Sequence, residues 1–249
     1  MATAERIMHV TKTPSFAKRH GPLYYLDLNA VSPKLLRDMA ELFKPAGDSI
    51  RLIDGAIIGS PPSPKDASAT LHSWNRPAFP MCGPHKLADA NQHGAHLANV
   101  LGTQHISDHI GAASALKMTF AALTKGFTAL AIQSFTTAHR LGVLPELQHH
   151  LKLYSPKTYD LTNASMVKMP PKAYRWVREM DEIAATFADD GGFQDDEAIF
   201  QGIAKTYDLV ANGTDLGMEK TEQRSRGMTA EDVALLMSQG IEKRKQKLE

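Results

Sequence analysis

Apolar positions come in short runs through the first part of the chain and in helical stripes through the rest. Leu23–Asn29 is aromatic and aliphatic and bounded by Gly21-Pro22, which predicts a buried strand. Ser32-Pro33 then predicts a helix start, with Ser at the cap and Pro at the first helical position. Leu35, Leu36, Met39, Leu42 and Phe43 form its apolar stripe. Ile50–Ile58 reads as a second strand, closed by Gly59-Ser60-Pro61-Pro62. Ala78–Cys82 reads as a third and Ala95–Leu101 as a fourth, with a helix over His85–Gln92 between them. Strands alternating with helices predict a parallel sheet covered on both faces.

After Gly102 the pattern changes. Gly111–Leu141 contains no proline and is rich in Ala, Leu, Thr and Ser. Ser107 or Asp108 suits its N-cap and Gly142 its C-terminal stop, so one helix is expected over about 108–141, ~45 Å long. Pro170-Pro171 opens another, with Trp176, Met180, Ile183 and Phe187 on one face. Arg175/Glu179 and Arg178/Glu182 are i,i+4 pairs on its wet side. Ile199, Ile203, Tyr207 and Val210 stripe a further helix ending near Asn212-Gly213. Thr229-Ala230-Glu231-Asp232 resembles a capping box before a last amphipathic helix. The expected division is an α/β portion over residues 1–105 and an all-α portion over 106–249.

With 43% apolar and 22% charged residues, the composition is that of a globular protein. Lys and Arg total 28 against 27 Asp and Glu, so no global basic field is available to hold nucleic acid. Cys82 is the single cysteine, which excludes an intramolecular disulfide and a four-cysteine zinc site and fits a cytoplasmic location. Met1–His9 has no apolar core for a signal peptide. Ile110–Phe135 contains Lys117 and Lys125 and is not read as a membrane span. His85, His93 and His96, and the pair His149-His150, lack the convergence a metal site needs, and no metal is expected. Among the 17 glycines no two are separated by one residue, so G-x-G-x-x-G is absent, and there is no P-loop.

Two segments carry a family resemblance. One is Leu26–Pro33, followed by Asp54-Gly55-Ala56-Ile57-Ile58-Gly59-Ser60-Pro61-Pro62; the other is Gly111–Met118, running on through Gly126. Together they resemble the β-hydroxyacid dehydrogenase and 6-phosphogluconate dehydrogenase-like superfamily. Arg175–Ala184 is similar to the branch with a phosphogluconate dehydrogenase-type C-terminal domain. The resemblance covers about Ala2 to Ala211. It implies a partial Rossmann-like α/β portion of about four strands, then an all-α 6-phosphogluconate dehydrogenase C-terminal-like domain that dimerises and closes a substrate cleft. It also implies NAD(P) as the family cofactor. The glycine-rich first half of the family's sheet has no counterpart here, as if roughly 60–70 residues were missing before Met1. The isolated chain is therefore expected not to bind NAD(P). Met1–His20, or a second chain, is expected to cover the strand edge left open.

The family's G-x-G-x-x-x-K-x-x-N-N helix places its catalytic lysine at Lys117, where a lysine in a closing cleft acts as general acid or base. Its asparagine pair falls at Phe120 and Ala121, and the serine of D-x-P-V-S-G-G at Ile58. The resemblance assigns the substrate cleft to Asn29, Ile58, Gly59, Ser60, Ser114, Phe120 and Ala121. Lys125 reads as structural or as a rim charge. Three functions are compatible: an oxidoreductase on a small hydroxyacid, carbonyl or imine, unable to transfer hydride alone; a cofactor-independent isomerase, lyase or cyclase using Lys117; and a non-catalytic dimerisation module. A homodimer is the expected partner state, with no nucleic acid and no membrane.

Overall fold

The computed structural model describes residues 1–66, 74–194, 197 and 199–247. Contacts divide the chain into two units. The first is Met1–Thr119 with Asp189–Gly191, and the second is Phe120–Ala188 with Gly192–Glu249.

The first unit opens with helices α1 (Ala2–Val10) and α2 (Pro14–Ala17), then strand β1 (Leu23–Asp27), α3 (Pro33–Phe43) and β2 (Ile50–Gly55). β3 (Ser63–Pro64) and β4 (Trp74–Asn75) pair as a short antiparallel ribbon. β5 (Phe79–Cys82), α4 (Gly94–Leu101) and β6 (Thr103–Ser107) complete it. The main sheet has the order β1-β2-β5-β6. The sheet is mixed rather than parallel: β1 and β2 are parallel, β5 runs antiparallel to β2, and β6 is parallel to β5. The chain returns from β2 through the Ile58–Ala78 bridge, and no helix lies in the described part of that return. Two strands that run antiparallel need no crossover helix between them.

The expected fourth strand, Ala95–Leu101, is instead helix α4, stopped by Gly102 in the left-handed region (φ 68°). The fourth strand is Thr103–Ser107. β5 and β6 are parallel, so a crossover must lie between them, and the apolar run supplies it by packing Ala98 and Leu101 on Ile53 and Met81. The expected helix over His85–Gln92 shrinks to a 3-10 turn, Leu87–Asp89. On the other sheet face, Ala4 of α1 and Leu36, Met39 and Phe43 of α3 bury Ile50 and Leu52. The Met1–His20 segment thus covers a face, and β1 remains an outer strand of the sheet.

Helix α5 (Ala112–Arg140) runs from the first unit into the second. The second unit continues with α6 (Leu144–Tyr154), α7 (Pro156–Lys168), α8 (Ala173–Asp189), α9 (Phe200–Gly213) and α10 (Ala230–Gln246). α6 packs on α7, and α10 on both α7 and α9. Met180 and Ile183 of the predicted α8 stripe are fully buried. On α9, Ile199 precedes the helix and is 67% exposed, and Phe200 takes the buried position. Thr229 caps α10 by accepting from Asp232 N. Gly240 lies where an added Cβ would be 2.6 Å from Gly213 O, so its lack of a side chain permits the α9–α10 approach.

Candidate functional site

β1 ends on a buried aspartate, Asp27, and β2 carries another, Asp54, one residue before its end. Asp27 and Asp54 are register partners, 5% and 0% exposed. Asp54 accepts from Gly111 N (3.0 Å), Ser114 N (3.2 Å), Ser114 Oγ (2.7 Å) and Cys82 Sγ (3.1 Å). It satisfies orphan N–H groups at the start of α5, where a negative charge also meets the positive end of the helix dipole. The expected caps, Ser107 and Asp108, lie outside this arrangement: Ser107 Oγ accepts from His109 N, and Asp108 pairs with His105. Gly111 allows the tight entry, with φ 103° and Pro33 Cβ only 3.2 Å from where its Cβ would stand.

The Cys82 thiol donates to Asp54 and accepts from Ala113 N at 3.1 Å. Burial, reinforced by the neighbouring carboxylate, pushes this thiol up to about 12. It is a protonated packing group and not a nucleophile at neutral pH. Asp27 holds Asn29, accepting from its backbone N (2.9 Å) and its Nδ2 (3.1 and 3.2 Å). Tyr25 donates to the same carboxylate, and burial together with that charge raises its phenol above the usual value.

Lys117 lies three residues beyond Ser114 on α5. Its Nζ donates to Ile57 O at 2.5 Å, just past the end of β2. Ile58 is bridged to Ala78 by two backbone bonds of 3.0 and 2.8 Å. Gly59 follows at φ 122°, with Pro77 Cα 3.3 Å from its Cβ position, so a side chain is excluded there. Ser60 is exposed. The Lys117 amine therefore sits against the β2 exit at Ile57, and Ile58, Gly59 and Ser60 follow it along the chain. Ser114, expected in the substrate cleft, is 1% exposed and its hydroxyl is committed to Asp54. It positions the start of α5 and has no surface to offer a substrate. Phe120 and Ala121 belong to the second unit, where Phe120 is 44% exposed and Ala121 is buried.

Lys125 forms an ion pair with Glu179, lies 5.2 Å from the centre of the Trp176 ring, and has its carbonyl held by Tyr207 Oη at 2.5 Å. It ties α5 to α8 and α9. Glu179, read from the sequence as a wet-side charge, has a side chain only 11% exposed. Asp27 and Asp54 were present in the quoted motifs without a role. Their signal was an acidic residue at or next to the carboxyl end of each strand, at the sheet edge where α/β folds hold ligands. Among the described residues no three His, Cys, Asp or Glu side chains are grouped to hold a metal ion.

Residues 138–210 match the family model DUF1932, a domain of unknown function. No curated protein matches the chain. Among solved structures the chain is similar to a conserved hypothetical protein from Sinorhizobium meliloti 1021, at 20% identity and TM-score 0.59 over 87% of this chain and 66% of that one. It is similar to the conserved protein MTH1747, described as structurally similar to 3-hydroxyacid dehydrogenases, at 22% identity and TM-score 0.53 over 78% and 67%. It is also similar to Mycobacterium tuberculosis 3-hydroxyisobutyrate dehydrogenase solved with L-serine, at 13% identity and TM-score 0.52 over 83% and 71%. The chain thus spans about two thirds of the length of the first of these structures.

Proposed function

From a chain that has a 3-hydroxyacid dehydrogenase-like fold and carries a DUF1932 segment, we propose the lysine-bearing part of a hydroxyacid-dehydrogenase-type oxidoreductase. Its substrate is a small hydroxyacid, carbonyl or imine bound at the β2 exit. The M. tuberculosis enzyme solved with L-serine supports that size and chemistry. The carrying observation is Lys117, held by Ile57 O beside Ile58, Gly59 and Ser60. There the amine passes a proton to or from the substrate's oxygen or nitrogen.

NAD(P), when bound by enzymes of this kind, supplies the hydride. The residues present do not fit its pyrophosphate. No glycine-rich turn follows any strand, and the β1 turn closes on the Asp27 carboxylate, with Asp54 beside it. Two buried carboxylates repel phosphate where a cradle of N–H groups is needed. The redox half therefore comes from chain or partner outside these 249 residues. The partner we propose for this chain itself is a second copy, docked along α5, in a reducing cytoplasmic setting.

A second reading has support in the apolar Ile58 and in the same carboxylates: a cofactor-independent isomerase, lyase or cyclase using Lys117. Calorimetric titration with NADPH and NADP separates the two. We expect no binding at millimolar cofactor, and micromolar binding would sink the account of the missing phosphate site. A panel of small hydroxyacids, carbonyls and imines is then tested with and without a full-length relative. Turnover only with the relative supports the oxidoreductase, and turnover by the chain alone supports the second reading. In both, Lys117→Ala removes at least about 100-fold of the rate with the fold intact. An unchanged rate, or no turnover in any arm, leaves the non-catalytic dimerisation module.

A further inference from the structure

Helical spacing pairs Arg175 with Glu179. The folded chain gives Glu179 to Lys125 instead, beside Trp176. Arg175 is left exposed near the start of α8, with no hydrogen bond or ion pair among the described residues. Its neighbours are cations. Lys168 is the last residue of α7, and Lys172 ends the single 3-10 turn, Pro170–Lys172, that leads into α8. Neither has an ion-pair partner among the described residues.

Arg224 reaches this junction from the segment before α10. Its guanidinium donates to Val167 O, next to Lys168, and to Gly227 O. The Cβ position of Gly227 is 3.2 Å from Pro170 Cγ, which sets that segment against the turn. Burial lowers the proton affinity of the Lys172 amine below its ordinary value, and Arg175, Lys168 and Arg224 lower it further. Folding thus gathers four cationic side chains: Glu179 pairs with Lys125, Glu219 faces Arg224 and Arg226 from behind, and the charges of Lys168, Lys172 and Arg175 in front repel one another. A multiply charged oxyanion reverses that balance through charge-assisted bonds. The patch is local, because the whole chain carries a formal charge of only +1.

We propose that the α7–α8 junction, with Lys168, Lys172 and Arg175 in front and Arg224 fixed behind them, binds a phosphate-type oxyanion, free or as the phosphate group of a small metabolite. The site lies wholly in the second unit and does not rest on the function proposed for Lys117.

The test titrates the full chain with inorganic phosphate and then with glycerol phosphate, against chloride at matched ionic strength, following calorimetry and thermal unfolding. We expect millimolar or tighter binding and a midpoint raised by about 2–4 °C at saturation. Lys172→Gln and the exposed Arg175→Gln each weaken binding by about tenfold. Lys172→Gln also raises the midpoint in phosphate-free buffer, because it removes one of the repelling charges. Tighter binding of glycerol phosphate identifies a metabolite as the source, and equal or weaker binding identifies free phosphate. An equal response from wild type and Arg175→Gln, or none from wild type, overturns the proposal and leaves a non-specific salt effect.

Discussion

Asp54 shows how one side chain can organise a junction. It is completely buried and takes four donors, two of them the backbone N–H groups of Gly111, just before α5, and Ser114, in its first turn. Hydrogen bonds to a charged group contribute about 1.5–3 kcal/mol each, and unmet buried donors add a penalty. We expect Asp54→Ala to lower unfolding stability by about 3 kcal/mol, as read by urea denaturation. Lys117→Ala, which removes a half-buried amine that donates to Ile57 O, serves as the milder comparison. Cys82 gives a pH test. Its thiol titrates at about 12 in the folded protein against an ordinary 9.0. The native state therefore keeps a proton that the unfolded state has lost. Stability is full below pH 9 and declines as pH rises towards 12. Denaturation curves from pH 8 to 11 should show this decline in the wild type and a flatter profile in Cys82→Ala. Identical profiles would show that Cys82 carries no linkage.

Helix α5 has two different faces. Met118, Ala122, Ala129, Ile132 and Phe135 are buried. Leu116, Phe120, Leu123 and Leu130 are 42%, 44%, 78% and 63% exposed, with half-buried Phe127 completing a 4-3-4-3 spacing. That period is the seam of a helix pair, and a seam meeting its own copy about a two-fold axis satisfies both chains at once. We expect the wild type to be a homodimer by light scattering. Leu123→Glu combined with Leu130→Glu should make it monomeric with unchanged helical content. A wild-type monomer, or a dimer untouched by these changes, would rule out the seam. By length and composition the same helix also passes as a membrane span, with mean hydropathy 1.2. Lys125, within it, pairs with Glu179, and one face of the helix is buried in the protein.

For the molecule as a whole, the consequence lies in what the sheet can hold. Buried Asp27 and Asp54 stand at the carboxyl ends of β1 and β2, and the Lys117 amine lies on Ile57 just beyond; in the function we propose, that amine moves the proton and the pyrophosphate is held elsewhere. Cofactor titration of the intact chain is the measurement on which this division stands. Packing divides the molecule at Thr119/Phe120, inside α5, whereas composition changes near residue 105. The first turns of α5 join the α/β core through Ala113 against Ala56 and Cys82.

Local pattern was enough for β1, α3, β2, β5, α5 and α8, since period, proline position and stop glycines act within a few residues of each element. The absent glycine fingerprint was equally legible, because it is a statement about spacing alone. α6 and α7 gave no clear stripe and were not anticipated. The run Ala95–Leu101 suits a strand or a helix by composition, and the parallel β5–β6 pair on either side of it required the helix. The cap of α5 could not be read locally, since Asp54 lies 57 residues before Gly111. Nor could the partner of Glu179, which the spacing gives to Arg175 and the fold gives to Lys125. In each of these cases the competing local choices differ by less than the free energy of burying or pairing a group. Contacts distant in sequence therefore settle them.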